Sequence, residues 1–498
     1  MLLLLLAYAQ ITNGSPITNI AVASTPSATS ENDDSGRTLY NIIWSSLATI
    51  FACVWTAVHR NIPGPSQGRL SRVLDMVGVV VGTLLVPEWV LAGAVRQYLN
   101  ARSLGKQLEA ARADATKAWD AKRQSLLELR KPGDRDERSR TTAGSKEQST
   151  EVLVEVKEKD GMSLKQRTSL TSRADDMEEL GAEQLALLES TLAVEDGIGR
   201  LGGEWNTRHG FFIIMGGFHY YKDGKPLFPL SRHDVVELVR AGDLVPPTDD
   251  EIRGWSQGDA LSKLIAIIQT LWFVIQCIAR RVEGLAITQL EIMTLAYTTI
   301  VFVMYVCWWY KPLNVNGPVR VAAKRLPKAI PVEHRSQFWT HVEIVVGSHD
   351  RLVDMREQAY VPPFYTGGEA GGPPLNSNDA LSGGIAVVAA MIFGAVHCAA
   401  WNYAFPTAVE MHIWRIGAAA IVAVPGAMAV ASVVALGLQR TILQDVGNIF
   451  MVAVFGVSGP VYVVARILLL GLSFATLRML PPGAYQAVQW TLKIPHFA

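Results

Sequence analysis

The chain has 498 residues, of which 49% are hydrophobic and 18% are charged, with a formal net charge of zero and a mean hydropathy of +0.21. This composition is apolar for a water-soluble protein, and it gives no indication of a nucleic-acid partner. All four cysteines lie in apolar runs, which argues against a disulfide framework or a cysteine zinc site.

The amino-terminal segment, residues 1–38, has the pattern of a signal peptide followed by a short exoplasmic tail. A leucine-rich core precedes Ala7, Tyr8 and Ala9, which fit the small-x-small rule for signal cleavage. One glycosylation sequon follows at Asn13. We therefore expect a protein of the secretory-pathway or plasma membrane. The alternative is an unstructured cytosolic end with a chance sequon.

Residues 39–99 form a first predicted membrane block. The apolar run 39–58 is long enough to cross a bilayer, whose core of about 30 Å takes about 20 helical residues. The next run, 74–99, contains Pro87, which removes a helix hydrogen bond, and Glu88, which is costly in lipid. It is predicted to be a broken or re-entrant helix. If the chain returns there, the charged stretch that follows lies in the cytosol, and the distribution of basic residues favours this answer.

The middle of the chain is predicted to be a cytosolic helical insertion. Residues 100–201 begin as a charged helix and continue as a linker with the composition of a disordered segment. Residues 202–258 carry a turn and two helix-start signals, so they are predicted to form a small folded unit. These signals are the turn Lys222-Asp223-Gly224-Lys225, the capping-box pair Ser231 and Asp234, and Thr248 to Glu251.

Five further apolar runs are long enough to cross a bilayer: 261–278, 288–309, 381–403, 413–438 and 447–474. The first two form a predicted hairpin (259–310), and the other three form a membrane block (381–498). Between them, residues 311–380 are a basic juxtamembrane loop. Its cations can attract anionic lipid headgroups by about 1 kcal/mol each. They are Arg320, Lys324, Arg325 and Lys328.

Helix-end chemistry explains several polar residues beside these runs. Thr288 and Glu291 have the spacing of a capping box. Arg280 and Arg281 close the preceding helix, where cations suit the helix dipole and can reach headgroups. Lys311 follows an aromatic belt and is predicted to be a snorkelling cation at the end of its span.

No nucleotide-binding, metal-binding or hydrolase motif occurs, so no catalytic residue, metal site or cofactor is predicted and an enzyme is not favoured. Polar groups inside apolar runs remain as candidates because each is expensive in lipid. Four form a candidate intramembrane polar site: Glu88, Gln269, Gln276 and Arg466. The two glutamines lie on one helical face and are predicted to bond a neighbouring helix, whereas Glu88 and Arg466 would neutralise each other as a pair.

A second candidate cluster lies where two runs are joined by a short connection. It comprises His397, Asn402, Glu410, His412 and Arg415. The histidines and the carboxylate have the chemistry to bind a metal or a proton. Interfacial residues of these types also anchor helical hairpins, and anchoring is the favoured interpretation.

The chain resembles a large family of uncharacterised multi-pass membrane proteins of filamentous and mushroom-forming fungi. The resemblance rests on WSSLATIFACVWTAVHRNIP, GDALSKLIAIIQTLWFVIQCIARR, LAITQLEIMTLAYTTIVFVMYVCWWYKPLNV, LPPGAYQAVQW and RHGFFIIMGGF. It covers both membrane blocks and the unit at 202–258, but not residues 131–176. The resemblance implies topology only.

The sequence therefore predicts an all-α protein: a polytopic transmembrane helix bundle with six spans, one broken or re-entrant helix and a cytosolic helical insertion. The favoured function is that of a receptor-like or scaffold membrane protein whose cytosolic region binds an unidentified protein. The alternative is a transporter or channel in which the four intramembrane polar residues line a path. A third interpretation, an intramembrane enzyme using the histidine cluster, requires a bound metal.

Overall fold

The computed structural model describes residues 36–130, 203–256, 260–322, 326–328, 349–368, 377–438 and 443–488. The chain divides into two compact units. The first holds the described parts of Met1–Gln107, Trp205–Val236 and Thr248–Ala498, and the second those of Leu108–Glu204 and Glu237–Pro247.

The described residues are mostly helical. Their helices are α1 (Leu39–Ala57), α2 (Arg69–Leu85), α3 (Pro87–Arg130), α4 (Thr207–Ile214), α5 (Arg232–Ala241), α6 (Asp249–Trp255), α7 (Ala260–Val282), α8 (Gln289–Cys307), α9 (Ser377–Cys398), α10 (Ala408–Leu438) and α11 (Gln444–Ala475). Six of them, α1 and α7 to α11, are long and apolar enough to cross a membrane. Each matches one of the six predicted spans.

Helix α8 is the centre of the first unit. It packs against α1, α7, α9 and α11, while α10 packs against α9 and α11. The apolar window of α8 is 67% buried, against 22% for α10 and α11, so α8 is an inner helix and the other two are outer helices. Apolar side chains on the outer helices consequently face away from the bundle.

Helices α2 and α3 form a pair bent by 112° at Val86. Pro87 takes the first position of α3, where a helix needs no amide donor, and the Val86 carbonyl accepts from the Trp89 amide at 3.0 Å. The bend lies beside the middle of α8, where Tyr297 bonds to α2. Further along α3, Gln97 accepts from Trp308 just after the end of α8. The predicted break is therefore present. Helix α3 turns back at the bend and runs towards the end of the bundle at which α2 begins.

Local signals account for several of the helix starts. The capping boxes predicted at Thr248 and Thr288 are both formed, and Ser231 and Asp234 bond reciprocally at the start of α5. Gly242, with a φ of +79°, ends α5.

A three-stranded sheet departs from the all-helical prediction. Strands β1 (Phe218–Lys222) and β2 (Lys225–Pro229) form a hairpin across the predicted turn, where Asp223 and Gly224 both have positive φ. Strand β3 (Val319–Val321) pairs in parallel with β1. Aromatic residues in β1 and an Asp-Gly turn favour the hairpin, and the third strand comes from a distant part of the chain.

Candidate functional site

The bend between α2 and α3 leaves carbonyl groups of α2 without helical partners, as the last turn of any helix does. Arg466, from the middle of α11, supplies donors: its Nε bonds to the Leu85 carbonyl at 3.2 Å and its Nη2 to the Leu84 carbonyl at 3.3 Å. Tyr297 of α8 donates its hydroxyl to the same Leu84 carbonyl. Side chains from two neighbouring helices therefore hold the bend.

Arg466 is also enclosed by aromatic rings. The centre of its guanidinium lies 3.9 Å from the ring centroid of Phe393 and 5.3 Å from that of Tyr297. The residue is only 3% exposed. Desolvated cation–π contacts of this kind contribute about 2 kcal/mol. Aromatic faces and carbonyl groups thus replace water around this cation.

The carboxylate of Glu88 is the counter-charge. It lies in the first turn of α3, where the helix dipole favours an anion, and the residue is buried. It attracts Arg466 electrostatically, although no ion-pair contact within 4.0 Å joins these two described side chains. Tyr462, one turn before Arg466 on α11, lies beside Glu88. We call Glu88, Tyr297, Tyr462 and Arg466 the bend cluster.

Two charged atoms of the bend cluster are not satisfied. Glu88 Oε2 and Arg466 Nη1 are buried, and neither has a hydrogen-bond partner within the described part of the chain. A buried group left this way costs about 1–3 kcal/mol, and more when it is charged. Native proteins pair such groups with protein, water or ligand. The bend cluster can therefore bind a water molecule or another polar atom.

Gln269 and Gln276 lie elsewhere. Both are on α7, which packs against α1 and α8. Gln269 is buried and Gln276 is half-buried, and no hydrogen bond described by the structure joins either amide to Glu88 or Arg466. The structure places the four predicted residues in two separate locations.

A cavity of about 40 Å³ lies beside the end of α8, and residues of both α2 and α3 line it. Its polar and charged lining residues are His59, Arg60, Arg96, Gln97, Lys311 and Thr366. Apolar lining is supplied by the indole rings of Trp89 and Trp308, among other groups. The volume is sufficient for a few water-sized particles. We call it the Lys311 cavity.

Lys311 is buried at this cavity rather than snorkelling at a headgroup, which corrects the sequence prediction. Its ammonium donates to the His59 carbonyl at 2.5 Å, to Gln97 Oε1 at 3.0 Å and to Asn61 Oδ1 at 3.3 Å. It also lies over the Trp308 ring, 5.0 Å from the centroid. Burial lowers the pKa of Lys311 to about 7. The Lys311 side chain points inward because three oxygen atoms replace water around its ammonium.

His397 of the second predicted cluster is fully buried in the bundle. Its Nδ1 lies 2.8 Å from the Phe393 carbonyl and its Nε2 3.3 Å from Met293 Sδ. The Trp414 indole donates to the His397 carbonyl at 3.1 Å. These contacts give the imidazole a packing role between α8, α9 and α10.

The other four members do not converge on His397. Asn402 and His412 are exposed, and Glu410 pairs with Arg478 at 2.7 Å. Arg415 donates to a backbone carbonyl of the α9–α10 turn at 3.0 Å. In the parts of the chain that the structure describes, no three His, Cys, Asp or Glu side chains are grouped to hold a metal ion.

Two of the four predicted headgroup cations are described. Arg320, on β3, is exposed and lies 5.3 Å from the ring centroid of Tyr221. Lys328 is exposed as well. Lys324 and Arg325, and the sequon at Asn13, lie outside the described residues.

Sequence reasoning missed a partly buried ion pair at the opposite end of the bundle. Arg37, before α1, makes a bidentate pair with Glu291, with distances of 2.6 and 3.2 Å, and its Nε donates to the Ala484 carbonyl at 2.7 Å. Only the cap that Glu291 forms with Thr288 was visible in the sequence.

Arg280 also has a different role from the one predicted. It is 1% exposed and donates to four carbonyl groups, in the α7–α8 turn and the carboxy-terminal segment. These belong to Ala286, Gly483, Ala484 and Gln486. Arg281, in contrast, is exposed. Of the predicted pair at this helix end, one arginine is a buried anchor for the carboxy-terminal segment.

The fold and its buried groups define a class: a bundle of six long apolar helices with ionic side chains buried around a broken helix. The chain belongs to a family of unknown function, DUF8562, whose model matches residues 13–136 and 198–380. All residues that line the Lys311 cavity fall within these ranges, whereas Tyr462 and Arg466 do not. No curated protein and no solved structure matches the chain.

Proposed function

We propose that this is an integral membrane protein of the secretory-pathway or plasma membrane. Helix α7 supports the proposal because one whole face of it is apolar and exposed. That face comprises Leu264, Ile268, Leu271, Ile275, Ile278 and Val282, each at least 47% exposed. The spacing of three and four residues makes it a continuous stripe along the helix. Soluble proteins rarely expose apolar surface of this extent, whereas lipid covers it at no cost.

The proposed topology puts the amino end of α1 outside and the Lys311 end in the cytosol. Basic residues near the Lys311 end, Arg60, Arg69, Arg72 and Arg320 among them, support this orientation. The α2–α3 pair then enters from the cytosolic face and returns to it. The charged groups at its bend are buried, and a broken helix is tolerated at membrane depth only where protein buries it or where it lines a water-filled cavity.

Membrane extraction and cysteine labelling test these statements together. Alkaline carbonate should leave the full chain in the membrane pellet. In intact cells, a membrane-impermeant maleimide should label Asn402→Cys in the α9–α10 turn, but should label Lys222→Cys in the β1–β2 hairpin only after permeabilisation. Release by carbonate would refute the membrane proposal, and the reverse labelling pattern would refute the topology.

For the activity, we propose that the protein moves a polar solute or ion through the bundle past the bend cluster. The observation that carries this is the unsatisfied pair of buried charged atoms, Glu88 Oε2 and Arg466 Nη1, at the α2–α3 bend. Buried charge is expensive, and in membrane bundles it marks ion or substrate pathways. A purely structural pair would be expected to close its own hydrogen bonds.

Flux into liposomes tests this activity. Purified protein should carry a set of small ions or solutes, and Glu88→Gln, which keeps the side-chain volume and removes the charge, should reduce flux at least about tenfold. The matched control is Glu410→Gln, which removes a carboxylate from the Arg478 pair at a helix end. Absence of flux, or equal flux for the two variants, would contradict a path past the bend.

A receptor-like or scaffold role is the second candidate. The observation that favours it lies in the second unit, where residues 116–125 of α3 are exposed apart from half-buried Trp119. A charged helix with this much exposed surface can bind a partner protein. A photo-crosslinker at Ala118 or Ala121 of the full chain should then capture one discrete protein. Capture of the same bands by a crosslinker at Lys222 would argue against a specific partner.

A further inference from the structure

The Lys311 cavity has an imbalance of charge. Three cationic side chains line it, Arg60, Arg96 and Lys311, and no carboxylate does. Arg96 is compensated by Asp379, at 2.9 Å. Arg60 is half-exposed and is attracted by Asp75. Only Lys311 has no anionic partner among the described residues, because the three oxygens that surround it are neutral.

A buried charge without a counter-charge is unfavourable even when its hydrogen bonds are complete. Carbonyl and amide oxygens satisfy the three donors of the ammonium, but they carry only partial charges. Lys311 is 3% exposed, so bulk water and salt screen it weakly. An anion beside it would be attracted by this ammonium and by the guanidinium groups of Arg60 and Arg96.

We propose that the Lys311 cavity binds a small monovalent inorganic anion of halide size, held as the counter-ion of Lys311 between the returning helix α3 and the end of α8. The size follows from the cavity, because about 40 Å³ is space enough for one halide ion or a few waters. The charge follows from the lining. The site is distinct from the bend cluster, and binding does not require that the protein transports anything.

Chloride is the probe for the test. The full chain is purified in detergent with gluconate as the only anion, and chloride is then titrated at a pH below 7, where Lys311 carries its proton, while the line width of the ³⁵Cl resonance is recorded. Wild-type protein should show saturable excess broadening that bromide displaces. A signal without saturation would mean that the cavity contains water only, and it would overturn the proposal.

Two pairs of variants locate the site. Lys311→Met removes the cation, with exposed Lys222→Met as its control. Gly93→Ala adds a methyl group that lies 3.7 Å from Thr366 Cγ2, an ordinary contact within the lining, and leaves Lys311 and its bonds in place. Gly78→Ala is its control, since that added methyl group meets nothing within 4 Å.

Lys311→Met and Gly93→Ala should each weaken chloride binding at least about tenfold, and both controls should bind as wild type. Gly93→Ala keeps the test decisive if Lys311→Met does not fold, because alanine in a helix is better tolerated than glycine. Full binding by Gly93→Ala would exclude this cavity as the site. The chloride titration measures binding in detergent and not transport. Its outcome therefore does not depend on whether the liposome experiment shows flux past the bend cluster.

Discussion

Arg466 of α11 donates a hydrogen bond to the carbonyl of Leu85, the last residue of α2, at 3.2 Å. A cation placed there has two effects at once. It satisfies backbone groups that the bend exposes, and it compensates the carboxylate of Glu88 at the start of the next helix. The bend, its carbonyl groups and the buried charges therefore depend on one another.

Arg466→Met should destabilise the folded protein by about 3–5 kcal/mol, since removal of one member of a buried charge pair leaves the other uncompensated. Adding Glu88→Gln to this variant should restore part of the loss. Thermal unfolding of the single and double variants in detergent gives the coupling. Arg478→Met, at a pair whose arginine is exposed, is the control and should cost no more than about 1 kcal/mol. Strict additivity of the two changes would show that the charges do not interact.

The two capping boxes of the same Thr-x-x-Glu type provide a matched comparison. Glu251 is exposed and only caps α6, whereas Glu291 is buried, caps α8 and also binds Arg37. Glu251→Ala should therefore cost about 1 kcal/mol, and Glu291→Ala about 3–5 kcal/mol. Equal midpoint shifts for the two variants in thermal unfolding would mean that the Arg37 pair adds nothing to stability.

Local sequence was sufficient for the elements whose cause is local. The apolar runs, the proline at the break and the cap residues each act within a few positions, and the helices, the bend and the capping boxes follow from them. The Asp223-Gly224 turn was visible for the same reason. Strand β3 was not, because its pairing with β1 joins residues about 100 positions apart.

The candidate site depends on contacts between residues that are far apart in the sequence. The sequence marks Glu88 and Arg466 as expensive in lipid, but it does not show that α11 places its arginine at the α2–α3 bend. Lys311 shows the same limit. A lysine after an aromatic belt has the local pattern of a headgroup anchor, and only oxygens from distant loops and α3 turn it inward.

Arg280 and Arg281 are adjacent, and only the first contacts the carboxy-terminal segment. Arg280→Met should leave carbonyl groups of Gly483, Ala484 and Gln486 without a donor, so that this segment undocks from the α7–α8 turn. Hydrogen exchange should accelerate at the amides of Ala484 and Tyr485. Arg281→Met, at an exposed side chain, should leave exchange unchanged. Equal protection in both variants would assign the docking to the apolar contacts of the segment.

Lys311 makes stability depend on pH with a definite sign. The folded protein holds its pKa at about 7, well below the value near 10.5 of an exposed lysine, so between these values the unfolded chain binds one proton more than the folded one. Stability then rises with pH across this window, because the unfolded state must release a proton that the folded state has already lost.

The other titratable or charged groups at the cavity are His59, Arg60, Arg96 and the Asp379 partner of Arg96. In halide-free buffer, the melting temperature of wild-type protein should therefore increase across this window more steeply than that of Lys311→Met, while exposed Lys222→Met should follow wild type. A parallel pH dependence in all three proteins would show that Lys311 keeps its proton, and that the surrounding oxygens stabilise the charged form more than burial opposes it.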